Sequence, residues 1–128
     1  NCVPGDCPNA ETFFGSDTAC PNTTSNTVAK EATCNGTGDK KIGESIAGTF
    51  SNQYEWFRFW QQLSNAGLIR GSYSGTRGPT SAHDCNGDTY CLAPKIKGRY
   101  FMAFWNHSGN STYFTTPAAH FVALGDST

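Results

Sequence analysis

Asp84, Asn86 and Asp88 place three oxygen-bearing side chains at alternate positions, and the Tyr90 carbonyl stands where a calcium loop of the 1, 3, 5, 7 type takes its next ligand. Such a loop would hold a hard cation with carboxylate, amide and carbonyl oxygens. The pattern departs from the type at two points: Thr89 occupies the place of the usual loop glycine, Gly87 coming too early, and no glutamate closes the series. A solvated hairpin tip is the plainer reading, with calcium as the one candidate cofactor and none required.

Catalytic patterns are scarce. His83, His107 and His120 are scattered over expected turn and hairpin segments, and the chain has neither a Gly-x-Ser-x-Gly elbow nor a metalloprotease helix motif. His83 beside Asp84 offers a base and an orienting acid in name only, since adjacent residues seldom meet in that geometry. The chain is therefore not expected to be an enzyme. Lys40, Lys41, Arg70, Arg77, Lys95, Lys97 and Arg99 form no ordered stripe, and a formal net charge of -1 gives no bias toward nucleic acid. Asn22, Asn35, Asn106 and Asn110 each satisfy the N-x-Ser/Thr sequon. A chain rich in Asn and Thr produces such matches by composition.

Six cysteines in a chain rich in Gly, Thr, Asn and Ser read as an oxidising compartment, and their spacing contains no CxxC pair of the zinc type. Closing a short loop costs little entropy, so Cys85 with Cys91 is the first expected pair and Cys20 with Cys34 the second, leaving Cys2 with Cys7. Another pairing of the first four cysteines stays open at this point.

The elements that must position these residues belong to one domain of 128 residues. Residues 1–48 are crowded with turn formers and read as a loop region pinned by the first four cysteines. A helix is expected over 52–66: Asn52 stands as N-cap with Glu55 three positions on, Trp56, Phe59, Trp60, Leu63 and Ala66 recur at helical spacing, and Gly67 stops it. That stripe reads as core, with Phe57 off it. Residues 84–91 read as a disulfide loop. A hairpin is expected over 97–115, its first strand apolar on both faces through Tyr100, Met102 and Phe104 on one and Phe101, Ala103 and Trp105 on the other, its second limb at 112–115. Thr116 and Pro117 then open a short helix or an extended run through 118–124. Strands with two apolar faces need cover on both, and the one good helix covers one.

Val3-Pro4-Gly5-Asp6, Arg58-Phe59-Trp60-Gln61-Gln62-Leu63 and Thr116-Pro117-Ala118-Ala119 are three segments that together resemble those of the type IV pilin-like proteins made as prepilins. Val3-Pro4-Gly5-Asp6, then Cys7 and Pro8-Asn9-Ala10, is similar to the PGD-x-PNA segment that follows the long N-terminal helix in that family; Phe13-Phe14-Gly15 comes after it. Arg58-Phe59-Trp60-Gln61-Gln62-Leu63, running through Ala66-Gly67-Leu68-Ile69 to Gly71-Ser72-Tyr73-Ser74-Gly75, resembles the family's FWQxL helix and its exit turn. Thr116-Pro117-Ala118-Ala119 is similar to the TPxxA near the family's C-terminus. The patch Asn35-Gly36-Thr37-Gly38-Asp39 falls where similar proteins carry acidic, calcium-like loops, with a single carboxylate here.

The resemblance implies an α+β fold, a pilin-like head with an antiparallel β-sheet packed on a helix and long disulfide-stapled loops. The family's long apolar N-terminal helix, absent from this sequence, would cover the second face of the Tyr100 strand and provide the only membrane contact. The implied role is a structural subunit, whether major pilin, minor pilin or pseudopilin, in a type IV pilus or type II secretion filament. Other pilin or pseudopilin subunits would be its partners, and the cell surface or extracellular space its location. Cys2 and Cys7 depart from the family pattern as an added staple. The alternative from another class is a small secreted disulfide-rich binding module, carbohydrate- or effector-directed, that exposes Trp56, Trp60 or Trp105 for ligand stacking.

Overall fold

The computed structural model of the chain describes residues 1–20, 32–43, 54–80, 84–87, 89–106 and 119–126. It is an α+β structure: a short helix α1 (Ala10–Phe14), a helix α2 (Tyr54–Asn65), and strands β1 (Arg99–Asn106) and β2 (Ala119–Asp126) forming a two-stranded antiparallel sheet. Disulfides join Cys2 to Cys7, Cys20 to Cys34 and Cys85 to Cys91. No described helix is long and apolar enough to cross a membrane.

α2 ends in a Schellman arrangement. Gly67, at φ 71°, donates its N–H to the Ser64 carbonyl, and Leu68 donates to that of Leu63, so two of the helix's last carbonyls are satisfied. A left-handed residue is needed there, and glycine adopts it without steric cost. The helix start differs from expectation only in that Asn52 lies outside the described residues. Of the apolar stripe, Trp60 is buried, Trp56, Phe59 and Leu63 are half-buried, and Ala66 is exposed beyond the last turn. Phe57, expected off the stripe, is the most deeply buried apolar side chain of the helix at 1% exposure. The reason is that α2 is enclosed on more than one side: Phe57, Trp60, Tyr73, Cys85, Cys91, Tyr100 and Ala103 form one apolar cluster, with Ile42 in it as well.

The hairpin expected over 97–115 is described only in its first strand. Residues 112–115 lie outside the described residues, and the partner of β1 is β2, in a register running without a bulge from Arg99↔Asp126 to Asn106↔Ala119. The run beginning after Pro117 is thus extended, Ala119–Asp126 lying along β1 with the consecutive apolar residues Phe121 to Leu124 divided between the two faces of the sheet. Paired residues share a face. Tyr100, Met102 and Phe104 lie with Ala123 and Phe121 on one side, where the Phe104 ring sits 6.2 Å from Phe121 and 6.3 Å from Trp56 of α2. Phe101, Ala103 and Trp105 lie with Leu124, Val122 and His120 on the other.

The described parts of the loop region, residues 1–20 and 32–43, carry regular structure. They contain α1 and a parallel bridge between Ser16 and Thr33, in which Asp17 donates to the Thr33 carbonyl and Thr33 to that of Gly15, each at 2.9 Å.

Candidate functional site

The polar residues of α2 carry the central feature of the molecule. Glu55, Arg58, Gln61 and Gln62 are buried at 3% exposure or less, although an amphipathic helix would turn them to water. A buried polar group must find partners or forfeit about 1–3 kcal/mol. Each of these does, and the partners come from the loop region and the exit turn.

Gln62 accepts the Gly5 N–H at 2.8 Å and donates to Thr33 Oγ1 and the Cys34 carbonyl. Gln61 donates to the carbonyls of Ala32 and Ser74 and accepts from Arg58 Nη1 at 2.9 Å. Arg58 Nη2 meets Asp17 Oδ2 at 3.0 Å with both side chains fully buried. Glu55 Oε1 accepts the backbone N–H of Thr37 at 2.9 Å, and Oε2 accepts that of Gly43 at 3.1 Å. Asp6 accepts the N–H groups of Gly38 at 2.7 Å and Lys40 at 2.8 Å. The two carboxylates also flank one hydroxyl, Thr37 Oγ1, at 3.0 Å from Asp6 Oδ1 and 3.1 Å from Glu55 Oε1.

Burial pushes the Glu55 carboxyl above its ordinary value; the backbone donors of Thr37 and Gly43 pull it back in part, and the neighbouring Asp6 charge adds to the rise. The segment 35–39, read from its single carboxylate as no cation site, serves instead as a source of backbone donors. Its N–H groups line a cradle that takes up two of the chain's own carboxylates.

The same contacts explain the glycines in the segments carrying the family resemblance. Gly5, at φ 84°, presses on the first turn of α2, where an added Cβ would collide with the Glu55 carbonyl; Gly75, at φ 71°, presses on Arg58 and Gln61. Pro4-Gly5-Asp6, the Arg58 to Gln62 run and Gly75 therefore converge on one polar hub whose work is to hold loops to a helix.

The Asp84 loop is knitted inward at its base, while Asn86 and Thr89 at its tip are exposed. Asp84 is fully buried. Its Oδ2 accepts from the backbone N–H and hydroxyl of Thr80, and its Oδ1 accepts the Asn86 N–H at 2.7 Å. Burial opposes its ionisation, but the Thr80 and Asn86 bonds and the nearby Arg77 charge outweigh it and hold the carboxyl below the ordinary value. Asn86 is exposed, and Asp88 lies outside the described residues, as does His83. Among the described residues no group of three His, Cys, Asp or Glu side chains is placed to hold a metal ion.

His120 is the one histidine among the described residues; His107 lies outside them. Its Nε2 accepts the Ile42 N–H at 3.2 Å, and its ring meets Trp105 edge-on at 4.8 Å. It clips the loop to the sheet. Trp60 is buried in the core, edge-on to Phe59 at 4.8 Å between ring centres.

What remains open is the sheet. Val122 is 58% and Leu124 48% exposed on one face of β2, although Ala103, the cross-strand neighbour of Val122, is buried in the core cluster. Sequence reasoning counted the apolar residues of β1 and missed this pair; the alternation His120, Val122, Leu124 against Phe121, Ala123 was the available signal. No protein-family model, no curated protein and no solved structure matches the chain.

Proposed function

We propose that this chain is the globular head of a type IV pilin-like subunit, a structural protein that acts through contacts with neighbouring subunits in a filament at the cell surface. The observation that carries the reading is the unequal cover of the sheet. β1 is covered on both faces, with Phe104 packed on Trp56 of α2 and Ala103 buried in the core cluster, while β2 presents Val122 and Leu124 to solvent. A long apolar helix of the kind that precedes the PGD segment in the resembling family would lie against such a face.

Two further features support it. The residues of the PGD and FWQxL-like segments meet in a buried hub that frames the domain, and three disulfides suit assembly in an oxidising compartment. The same fold leaves little for a tryptophan-stacking module: Trp60 is buried, Trp56 packs on Phe104 and Trp105 on His120.

Intact mass and N-terminal sequencing of the protein from its native source, together with analysis of sheared cell-surface filaments, test the proposal. An apolar helix with a methylated first residue, found in the filament fraction, is the expected result. A chain preceded by a conventional signal peptide and absent from filaments would overturn it in favour of a secreted binding module.

A further inference from the structure

β2 presents a backbone edge as well as an apolar face. Phe101 and Trp105 of β1 donate their N–H groups to the carbonyls of Leu92 and Ile42, away from β2. In an antiparallel ladder such groups alternate in direction, so Tyr100, Met102 and Phe104 bond to Gly125, Ala123 and Phe121. The backbone groups of His120, Val122 and Leu124 consequently point outward, and among the described residues no strand lies beside them.

Natural edge strands are protected against pairing by lysine, proline, a bulge or short length. β2 has none of these: it reads AHFVALGD over eight residues, its register is unbroken, and Val122 and Leu124 are exposed along it. The occupant of such an edge must itself be a strand with outward backbone groups in matching alternation.

We propose that this occupant is a second copy of the chain, with β2 pairing antiparallel to β2 about a two-fold axis at Ala123 and the two sheets joining into one of four strands. The outward set is self-complementary in that register. Val122 of each copy meets Leu124 of the other on one face, so the two exposed apolar side chains of each strand cover those of its partner. Each outward residue then exchanges backbone hydrogen bonds with an outward residue of the other copy, and the two-fold closes the assembly at a dimer. The inference is independent of the pilin-like reading: it concerns the edge rather than the face, and needs neither an N-terminal helix nor a filament.

The test uses the 128-residue chain itself, by sedimentation equilibrium from low micromolar to near-millimolar concentration. A monomer–dimer equilibrium is expected, and Val122→Lys with Leu124→Lys should weaken it at least about 100-fold, or about 2.7 kcal/mol, with far-UV circular dichroism and Tm unchanged. Ala123→Cys tests the register without relying on stability. On the axis, the two residues form a non-hydrogen-bonded pair with Cα atoms about 4.5 Å apart, within disulfide range, so mild oxidation should yield a covalent dimer. Phe13→Cys, equally a new thiol but on exposed α1, should not. A chain monomeric throughout, a dimer indifferent to the two lysines, association beyond a dimer, or equal crosslinking through position 13 would each overturn the proposal.

Discussion

Asp6 and Glu55 lie on either side of a single hydroxyl, Thr37 Oγ1, close enough for either carboxylate to accept its one proton. One proton cannot serve both acceptors fully, and both side chains are buried. The hub therefore holds its loops through a hydroxyl shared between two buried carboxylates.

Glu55 has its carboxyl raised by burial, so the folded state binds its proton more tightly than the unfolded chain does. Its contribution is fully present below the unfolded value of about 4.5 and is lost as pH rises through the elevated folded value. Glu55→Gln should remove that slope. It should also cost about 1–3 kcal/mol at neutral pH, because one amide cannot accept from both Thr37 and Gly43. Urea unfolding of both proteins across the acid to neutral range checks the sign: an unaltered slope in the variant would mean that Glu55 does not titrate with folding.

Asp84 runs the opposite way. Its carboxyl is held low, so its contribution is present above the unfolded value of 3.8 and lost as pH falls through the lowered folded value. Asp84→Ala should strand the N–H groups of Thr80 and Asn86 and destabilise by about 1–3 kcal/mol at neutral pH. It should flatten the acid limb of the same pH series. With both oxygens of Asp84 committed to those donors, added calcium should leave the wild-type Tm unchanged; a calcium-dependent rise would restore the metal reading of the 84–88 loop.

Arg58 and Asp17 form an ion pair with no solvent exposure. Removing one partner leaves the other charged and buried, so Arg58→Met and Asp17→Leu should each cost about 3–5 kcal/mol. The double variant should cost less than the sum of the two. Equilibrium denaturation of all four proteins closes the cycle, and additive single effects would show that the pair does not act as a unit.

Trp60 is core by position, edge-on to Phe59. Trp60→Ala should cost about 3–5 kcal/mol through the cavity it opens. Trp60→Phe should cost distinctly less, because the indole N–H has no acceptor among the described residues and its loss strands nothing. Equal losses in thermal unfolding would mean that the indole nitrogen has a partner after all.

The sequence by itself determined what is local. The spacing of Trp56, Phe59, Trp60 and Leu63 and the glycine at 67 mark a helix and its end, because amphipathic period and left-handed capping act over a turn or two. The alternation in 99–106 marks a strand apolar on both faces, and short separations favour the disulfide loops the structure contains. Tertiary structure alone decided what depends on partners remote in the chain. Glu55, Arg58, Gln61 and Gln62 look like a solvated face until residues 5, 17, 32–34, 37 and 43 are brought over them, since a polar side chain is buried only where distant donors and acceptors replace water. Likewise the run after Pro117, open in sequence to a short helix or an extended run, became β2 by pairing along the whole of β1, a pairing that a short apolar run does not encode and that leaves Val122 and Leu124 exposed.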